Sequence, residues 1–336
     1  MSLLISYIRK GLILLSSCYY QTVAPRFSDR EVYKIVRCVG RAKRVALRVE
    51  SVNQLEQVYS YCSQRKFWNV ELATDQGAVI SVFVKADRIS LKRYLIARRI
   101  SGLGLPVPEY YGSFVSLGCR YGVWSYQHGV CLKSYKDFSD QQLVSVAAAL
   151  ARCNIVAAAA FSTGGIPIGA LWGGKICSDL NVVHPQVARR AGLVSFYCQY
   201  ESLMLSVLNV GENKFVNHND CKPANVILLD AGGVVITDWD SASIGPLGAS
   251  LRCFAVLDER RRRLVAESYV SELAKLGVAF DCDSALKVMC IQQVLWALST
   301  GLQLKAPERI CQGLDLFGRL FSFENGLTLE GVGKVL

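Results

Sequence analysis

The spacing of apolar and polar positions changes character along the chain. RVALRVE at 44–50 alternates and predicts a strand, and Ser51 with Gln54 three residues later has the form of a capping box, predicting a helix through about Tyr61. FWNVELA (67–73) and AVISVFVKA (78–86) are two β-rich runs around the turn cluster Thr74-Asp75-Gln76-Gly77, which predicts an antiparallel hairpin ending at Lys85. In 88–101, Ile89, Leu91, Leu95, Ile96 and Ile100 fall at helical spacing, and the glycines and prolines of 102–112 end that helix. A further strand, YGVWSY, leads into Gln127-His128-Gly129, after which long helical patterns take over. Ser139 with Gln142 caps an alanine-rich helix to about Ala160, and a long amphipathic run covers 186–208. Two short β-like stretches, 216–229 and 234–240, enclose Asp230-Ala231-Gly232-Gly233, and helices resume from about Leu251. The pattern is α+β. It divides into an N-terminal extension (1–30), a small β-rich unit (31–127) and a mainly helical unit (128–336).

Composition narrows the class. With 51% hydrophobic and 19% charged residues in 336, the chain can bury a core, which excludes a disordered protein. Its thirteen cysteines include no Cys-x-x-Cys and are accompanied by only three histidines, so no zinc-ligand spacing exists. They read as reduced, mostly buried thiols of a cytoplasmic protein. The apolar N-terminus is interrupted by Arg9 and Lys10, short of the roughly 18 residues that a membrane-spanning helix needs. It suits a packed helix or peripheral contact with an anionic membrane face. A net charge of +11 predicts anionic partners, and the dispersal of the basic residues speaks against nucleic acid.

The chemistry concentrates in His218-Asn219-Asp220-Cys221-Lys222-Pro223-Ala224-Asn225, followed by Asp238-Trp239-Asp240. Phosphoryl transfer needs a carboxylate to orient and deprotonate the acceptor hydroxyl. It also needs an amide and a second carboxylate to hold the magnesium that bridges the phosphates. Asp220, Asn225 and Asp238 can fill those roles in that order.

The segment resembles the catalytic core of the aminoglycoside phosphotransferase and choline kinase family, relatives of the protein kinases. The resemblance extends to Lys85, to the Gly104–Pro108 loop and to the Gly245-Pro246-Leu247-Gly248 turn, and covers roughly residues 60 to 255. It implies a bilobal protein-kinase-like fold, a small β-rich N-lobe and a mainly helical C-lobe, with ATP between them and the acceptor on the C-terminal helices. By the same resemblance Asp220 is the catalytic base, Asn225 and Asp238 bind Mg2+, and Lys85 contacts the α and β phosphates. Lys222 resembles the serine/threonine kinase lysine that neutralises charge on the transferred group, and His218 is read as holding the catalytic loop by hydrogen bonding.

Three positions depart from the family pattern. No glutamate lies between Lys85 and Glu109 to pair with the lysine, and Tyr94 stands about where one is expected. The nucleotide-covering loop 61–68 has no glycine, leaving Ser63, Arg65 or Lys66 to meet phosphate. Ser250 replaces an aspartate that braces the catalytic loop in related enzymes. Two readings follow: an ATP-dependent kinase for a hydroxyl of a small molecule or glycolipid, and a catalytically degenerate kinase fold that binds nucleotide or a partner. The direct run from Asp238 into Gly245-Pro246 leaves no activation segment for a peptide substrate. The basic balance, with Arg260-Arg261-Arg262-Arg263 in the acceptor region, favours an anionic acceptor over a polycationic antibiotic.

Overall fold

The computed structural model describes residues 28–55, 66–87, 91–116, 119–161, 176–180, 187, 189, 191–209 and 215–321. The apolar N-terminal extension before residue 28, with its expected membrane contact, lies outside them. The described residues form two compact units, one running to Tyr94 and including Pro108–Gln127, the other comprising Leu95–Val107 and everything from His128.

The first unit opens with helix α1 (Asp29–Lys43), which the apolar spacing had not singled out. Its signal is a capping box, in which the backbone N–H of Ser28 donates to Glu31 at 3.2 Å. Strands β1 (Leu47–Leu55), β2 (Lys66–Thr74), β3 (Val79–Asp87), β4 (Tyr110–Ser116) and β5 (Cys119–Ser125) form one antiparallel sheet in the order β1-β2-β3-β5-β4. The β2–β3 hairpin is as the patterning predicts. The helix expected from Ser51 is not formed at 51–55: Ser51 sits opposite Glu71 on β2 and its hydroxyl donates to that carboxylate at 3.0 Å, so cross-strand pairing wins over capping. Ile35 and Val39 of α1 pack on Trp68, Val70, Leu72, Val82, Val84 and Val123, the inward positions of the alternating strands.

The second unit is mainly helical. Helix α2 (Leu91–Ser101) enters it at Leu95, and a three-stranded sheet joins β6 (Gly129–Val130), β8 (Val226–Leu229) and β9 (Val234–Ile236). A second pair joins β7 (Phe215–Asn217) to β10 (Ser243–Gly245). Helix α3 (Asp140–Phe161) starts with the expected reciprocal bonds, Ser139 N–H to Gln142 at 2.8 Å and Gln142 N–H to Ser139 at 3.2 Å. It packs against β7, β9 and α6 (Glu259–Lys275), where Arg152 meets the buried Glu272 at 2.5 Å. Short α4 (Ile176–Leu180) and long α5 (Ala191–Asn209) precede the β-rich segment, and α7 (Cys282–Gln303) and α8 (Pro307–Phe321) close the chain.

One further sequence expectation changes here. Cys177 and Cys198 are disulfide-bonded, because α4 and α5 bring their α-carbons to 5.3 Å, whereas Cys38, Cys119, Cys131, Cys153, Cys221, Cys253, Cys282, Cys290 and Cys311 are free thiols. Not all the thiols are reduced, and Cys131 is exposed. In addition α3 and α7 are each 22 residues long and apolar enough to cross a membrane by length and composition. Half or more of each is buried within the unit, as in core helices, and α3 carries a buried Asn154 that is hydrogen-bonded to its neighbours.

Helices α7 and α8 approach closely at glycine. A β-carbon on Gly301 would lie 2.9 Å from the backbone nitrogen of Ile310, and one on Gly313 would lie 2.8 Å from the Leu298 side chain. Gly301→Ala is therefore expected to destabilise the protein by about 1–3 kcal/mol through overpacking. Gly192→Ala, on α5 with open space around it, is expected to be neutral or to stabilise by up to about 1 kcal/mol. Urea unfolding of the two variants beside the parent checks both signs.

Candidate active site

The turn at Gly232 and Gly233, both with φ near +90°, folds β8 back on β9 so that Val226 pairs with Ile236. That register sets Asn225 beside Thr237, whose N–H donates to the Asn225 carbonyl at 2.8 Å. Asp238 follows at once, with a left-handed backbone (φ 58°). On the other side β7 ends at Asn217 and the chain turns through Asn219, also left-handed at φ 58°. Asparagine and aspartate tolerate this conformation better than other residues with a β-carbon, which explains their places at the two bends.

His218 joins the two arms. Its ring is fully buried, edge-on to Trp239 at 4.6 Å between centroids. The Asp220 N–H donates to Nδ1 at 3.2 Å, so Nδ1 is unprotonated, and Nε2–H therefore donates to the Thr237 carbonyl at 2.7 Å. Burial in this setting lowers the pKa of the imidazole, against a weaker raising effect of its bond to Thr237 and of Asp220 and Asp238.

Around the carboxylate of Asp220 the structure gathers three predicted or neighbouring groups. Lys222 donates to Oδ2 at 3.1 Å. Asn225 Nδ2 donates to the same oxygen at 3.2 Å and to the Asp220 carbonyl at 2.7 Å. With its nitrogen so used, Asn225 keeps Oδ1 as an acceptor that no donor reaches among the described residues. An amide oxygen near the Asp238 carboxylate segment is the all-oxygen donor chemistry that magnesium takes. Arg252 NH2 lies 3.7 Å from Asp220 Oδ1.

Lys85 belongs to the first unit, on the central strand β3, opposite Phe67 and Gly122, with its side chain buried. Ser63 and Arg65 lie outside the described residues, and Lys66 opens β2. The arginine run is not a free basic patch. Arg260 and Arg261 both bind Asp140, at 2.8 and 3.1 Å, Arg262 donates to the Leu257 carbonyl at 2.8 Å, and Arg263 lies 3.9 Å from Asp283. Those charges fasten α6 to its surroundings, so the charge argument for an anionic acceptor cannot rest on them.

Sequence reasoning missed the support beneath the loop. Ser250, in the 3-10 turn Ala249–Val256, accepts from the His218 N–H at 3.1 Å and from Asn154 Nδ2 at 2.9 Å, and its hydroxyl donates to Asn217 Oδ1 at 3.1 Å. Tyr269 donates to Asn154 Oδ1 at 2.6 Å, and its oxygen accepts from the Gly248 N–H at 3.1 Å. The departure at Ser250 thus leaves the brace in place, as a neutral network in which each member has partners. Arg252 donates to the Asn219 carbonyl from Nε at 2.8 Å and from NH2 at 2.5 Å, with its guanidinium 4.4 Å from the centroid of Trp296. Tyr135 donates to the Cys221 carbonyl at 2.7 Å. The readable signal for Asn154 was an amide inside an alanine-rich run, and for Arg252 a cation within the apolar run Leu251-Arg252-Cys253-Phe254.

No curated protein matches this chain in sequence. Residues 74–276, more than half of its length, match the model of the phosphotransferase enzyme family. The chain belongs to that family. Its activity class is that of a kinase, which moves a phosphoryl group to an alcohol hydroxyl. Solved structures of the phosphotransferase family share its fold. A choline kinase from Cryptosporidium parvum is 12% identical, with a TM-score of 0.54 over 87% of this chain and 96% of that one. A spectinomycin phosphotransferase in complex with ADP and spectinomycin is 9% identical, with a TM-score of 0.52 over 88% and 96%. An aminoglycoside phosphotransferase from Alicyclobacillus acidocaldarius is 11% identical, with a TM-score of 0.53 over 89% and 93%. The fold is therefore the protein-kinase-like one, a β-rich unit and a mainly helical unit.

Two predictions follow from the supporting network. Ser250→Ala strands the His218 N–H and is expected to cost about 1–3 kcal/mol, read as a lower unfolding midpoint in denaturant. For His218 the folded pKa is below the ordinary 6.5, so above that pH the ring is neutral in both states and contributes nothing. Below it the unfolded chain takes up a proton that the folded protein refuses, and stability falls as pH drops from about 6.5. A nitrogen NMR titration is expected to show this ring taking up its proton at lower pH than an ordinary histidine, with the neutral form protonated on Nε2 only.

Proposed function

We propose that the protein is an ATP- and Mg2+-dependent kinase for a hydroxyl of a small molecule or sugar-bearing acceptor, with an anionic acceptor favoured. The observation that carries this reading is the meeting of Asp220, Lys222 and Asn225 within 3.2 Å, beside a register that sets Asn225 against Thr237, the residue before Asp238.

In this mechanism Asp220 accepts the hydroxyl proton as the acceptor oxygen bonds to the γ-phosphorus. The bond from that phosphorus to the β–γ bridging oxygen breaks, and its electron pair leaves with ADP. Asn225, through Oδ1, and Asp238 would hold Mg2+, which would offset charge on the phosphates. Lys222, which donates to Asp220 Oδ2, can pass its charge to the transferred group as the carboxylate takes up its proton. Lys85, buried on β3, is assigned to the nucleotide phosphates, with Ser63, Arg65 and Lys66 as further contacts. The nucleotide bound to the spectinomycin phosphotransferase supports the donor class. The net charge of +11 supports the acceptor's sign, and an ATP requirement supports a cytoplasmic location.

Purified protein given labelled ATP, Mg2+ and pooled metabolite and envelope extracts is expected to transfer label to an acceptor. Asp220→Asn and Asp238→Ala are each expected to lower that transfer by about 100-fold or more. Nucleotide binding without transfer from any extract would favour the degenerate, binding-only reading.

A further inference from the structure

A cavity of about 380 Å³ opens in the helical unit beside α7 and α8, within the size range of small-molecule sites. Gln293 and Trp296 of α7 form one wall, Arg309, Gln312 and Arg319 of α8 another, and Thr300 with aliphatic side chains completes it. No carboxylate is among the lining residues. The Arg309 guanidinium has no carboxylate within salt-bridge distance among the described residues, in contrast to Arg260 and Arg261, which share Asp140.

This cavity is joined to the catalytic loop by one side chain. Arg252 NH1 donates to Gln293 Oε1 at 3.3 Å and its guanidinium lies 4.4 Å from the Trp296 ring centroid, while NH2 lies 3.7 Å from Asp220 Oδ1. Arg252 is nearly buried and its charge is already shared between Asp220, the Asn219 carbonyl and the indole face. A ligand in the cavity therefore meets Arg309 as its main charged contact, an indole for a ring or short apolar stem, and two glutamines for hydroxyls, while Arg319 already has an interaction of its own.

We infer that the cavity anchors the acceptor by an oxyanion, carboxylate or phosphate, held by Arg309, and presents a hydroxyl of the same molecule past Arg252 to Asp220. This assignment rests on Asp220 being the base. It reverses the charge preference that a polycationic acceptor would need: two guanidiniums and no carboxylate line the place where such a molecule would have to bind.

The test uses the full chain with Mg2+ and a non-hydrolysable ATP analogue, so that nucleotide-binding contacts are already filled. Calorimetric titration with phenyl phosphate, benzoate, benzyl alcohol and benzylammonium is expected to show binding of the two anions, with the ammonium at least about tenfold weaker. Arg309→Gln is expected to weaken anion binding by about tenfold or more, and Arg309→Lys by less, with unchanged thermal melting. Phenyl phosphate and benzoate separate the two oxyanion chemistries. Equal binding of the ammonium, unaltered affinity in Arg309→Gln, or binding seen only without the nucleotide analogue would each overturn the assignment. Hydrolysis of Mg-ATP by the parent and by Asp220→Asn tests the kinase reading separately, so that loss of either reading can be told from loss of the other.

Discussion

A buried neutral imidazole fixes the catalytic loop. His218 commits Nδ1 to the backbone N–H of Asp220 and Nε2–H to the carbonyl of Thr237, so a single ring sets the distance between the arm that carries the carboxylate and the arm that carries Asp238. The bond at Nδ1 does not survive protonation of that nitrogen, whereas Nε2–H still donates to Thr237, and burial opposes the protonation. The hairpin between β8 and β9 determines which residues face each other, and the imidazole determines how the loop in front of them closes.

Beneath this ring the fold relies on neutral groups. Asn154, Asn217, Ser250 and Tyr269 satisfy one another and the backbone without any formal charge. A buried carboxylate at the Ser250 position would need its desolvation offset by hydrogen bonds and a cation, and a hydroxyl avoids that cost while still accepting from the His218 N–H. Arg252, a buried cation near the loop, is compensated by a carbonyl, a carboxylate at 3.7 Å and an indole face. Electrostatics is concentrated at the surface of the site, where Asp220 and Lys222 are both partly exposed.

Much of this was legible in the chain because it is local. The Ser139–Gln142 capping box, the turn that folds β2 onto β3, and the order of His218, Asp220, Asn225 and Asp238 each occupy a short stretch, and their residue types carry a definite geometry. What stayed hidden depends on distant partners. Ser51-x-x-Gln54 has the form of a helix cap, yet Glu71 lies opposite it across a strand pair and claims the hydroxyl. The Arg260–Arg263 run looked like a ligand patch until Asp140, far away in sequence, was found to hold two of its members. Spacing could not pair Cys177 with Cys198, because the packing of α4 on α5 decides it. Arg252 is an ordinary residue in sequence and Ser250 was legible only as a departure; their roles come from what the 3-10 turn places beside the loop.

The left-handed backbone at Asp238 has an evolutionary consequence. Asparagine is the residue that shares this conformation with aspartate at least strain, and it is nearly the same size. A change from one to the other there would remove a negative charge from the front of the site with little disturbance behind it. Drift from enzyme to non-catalytic relative is thus open along a path that selection on folding alone would not resist. Descendants of such a chain could keep this architecture long after giving up turnover.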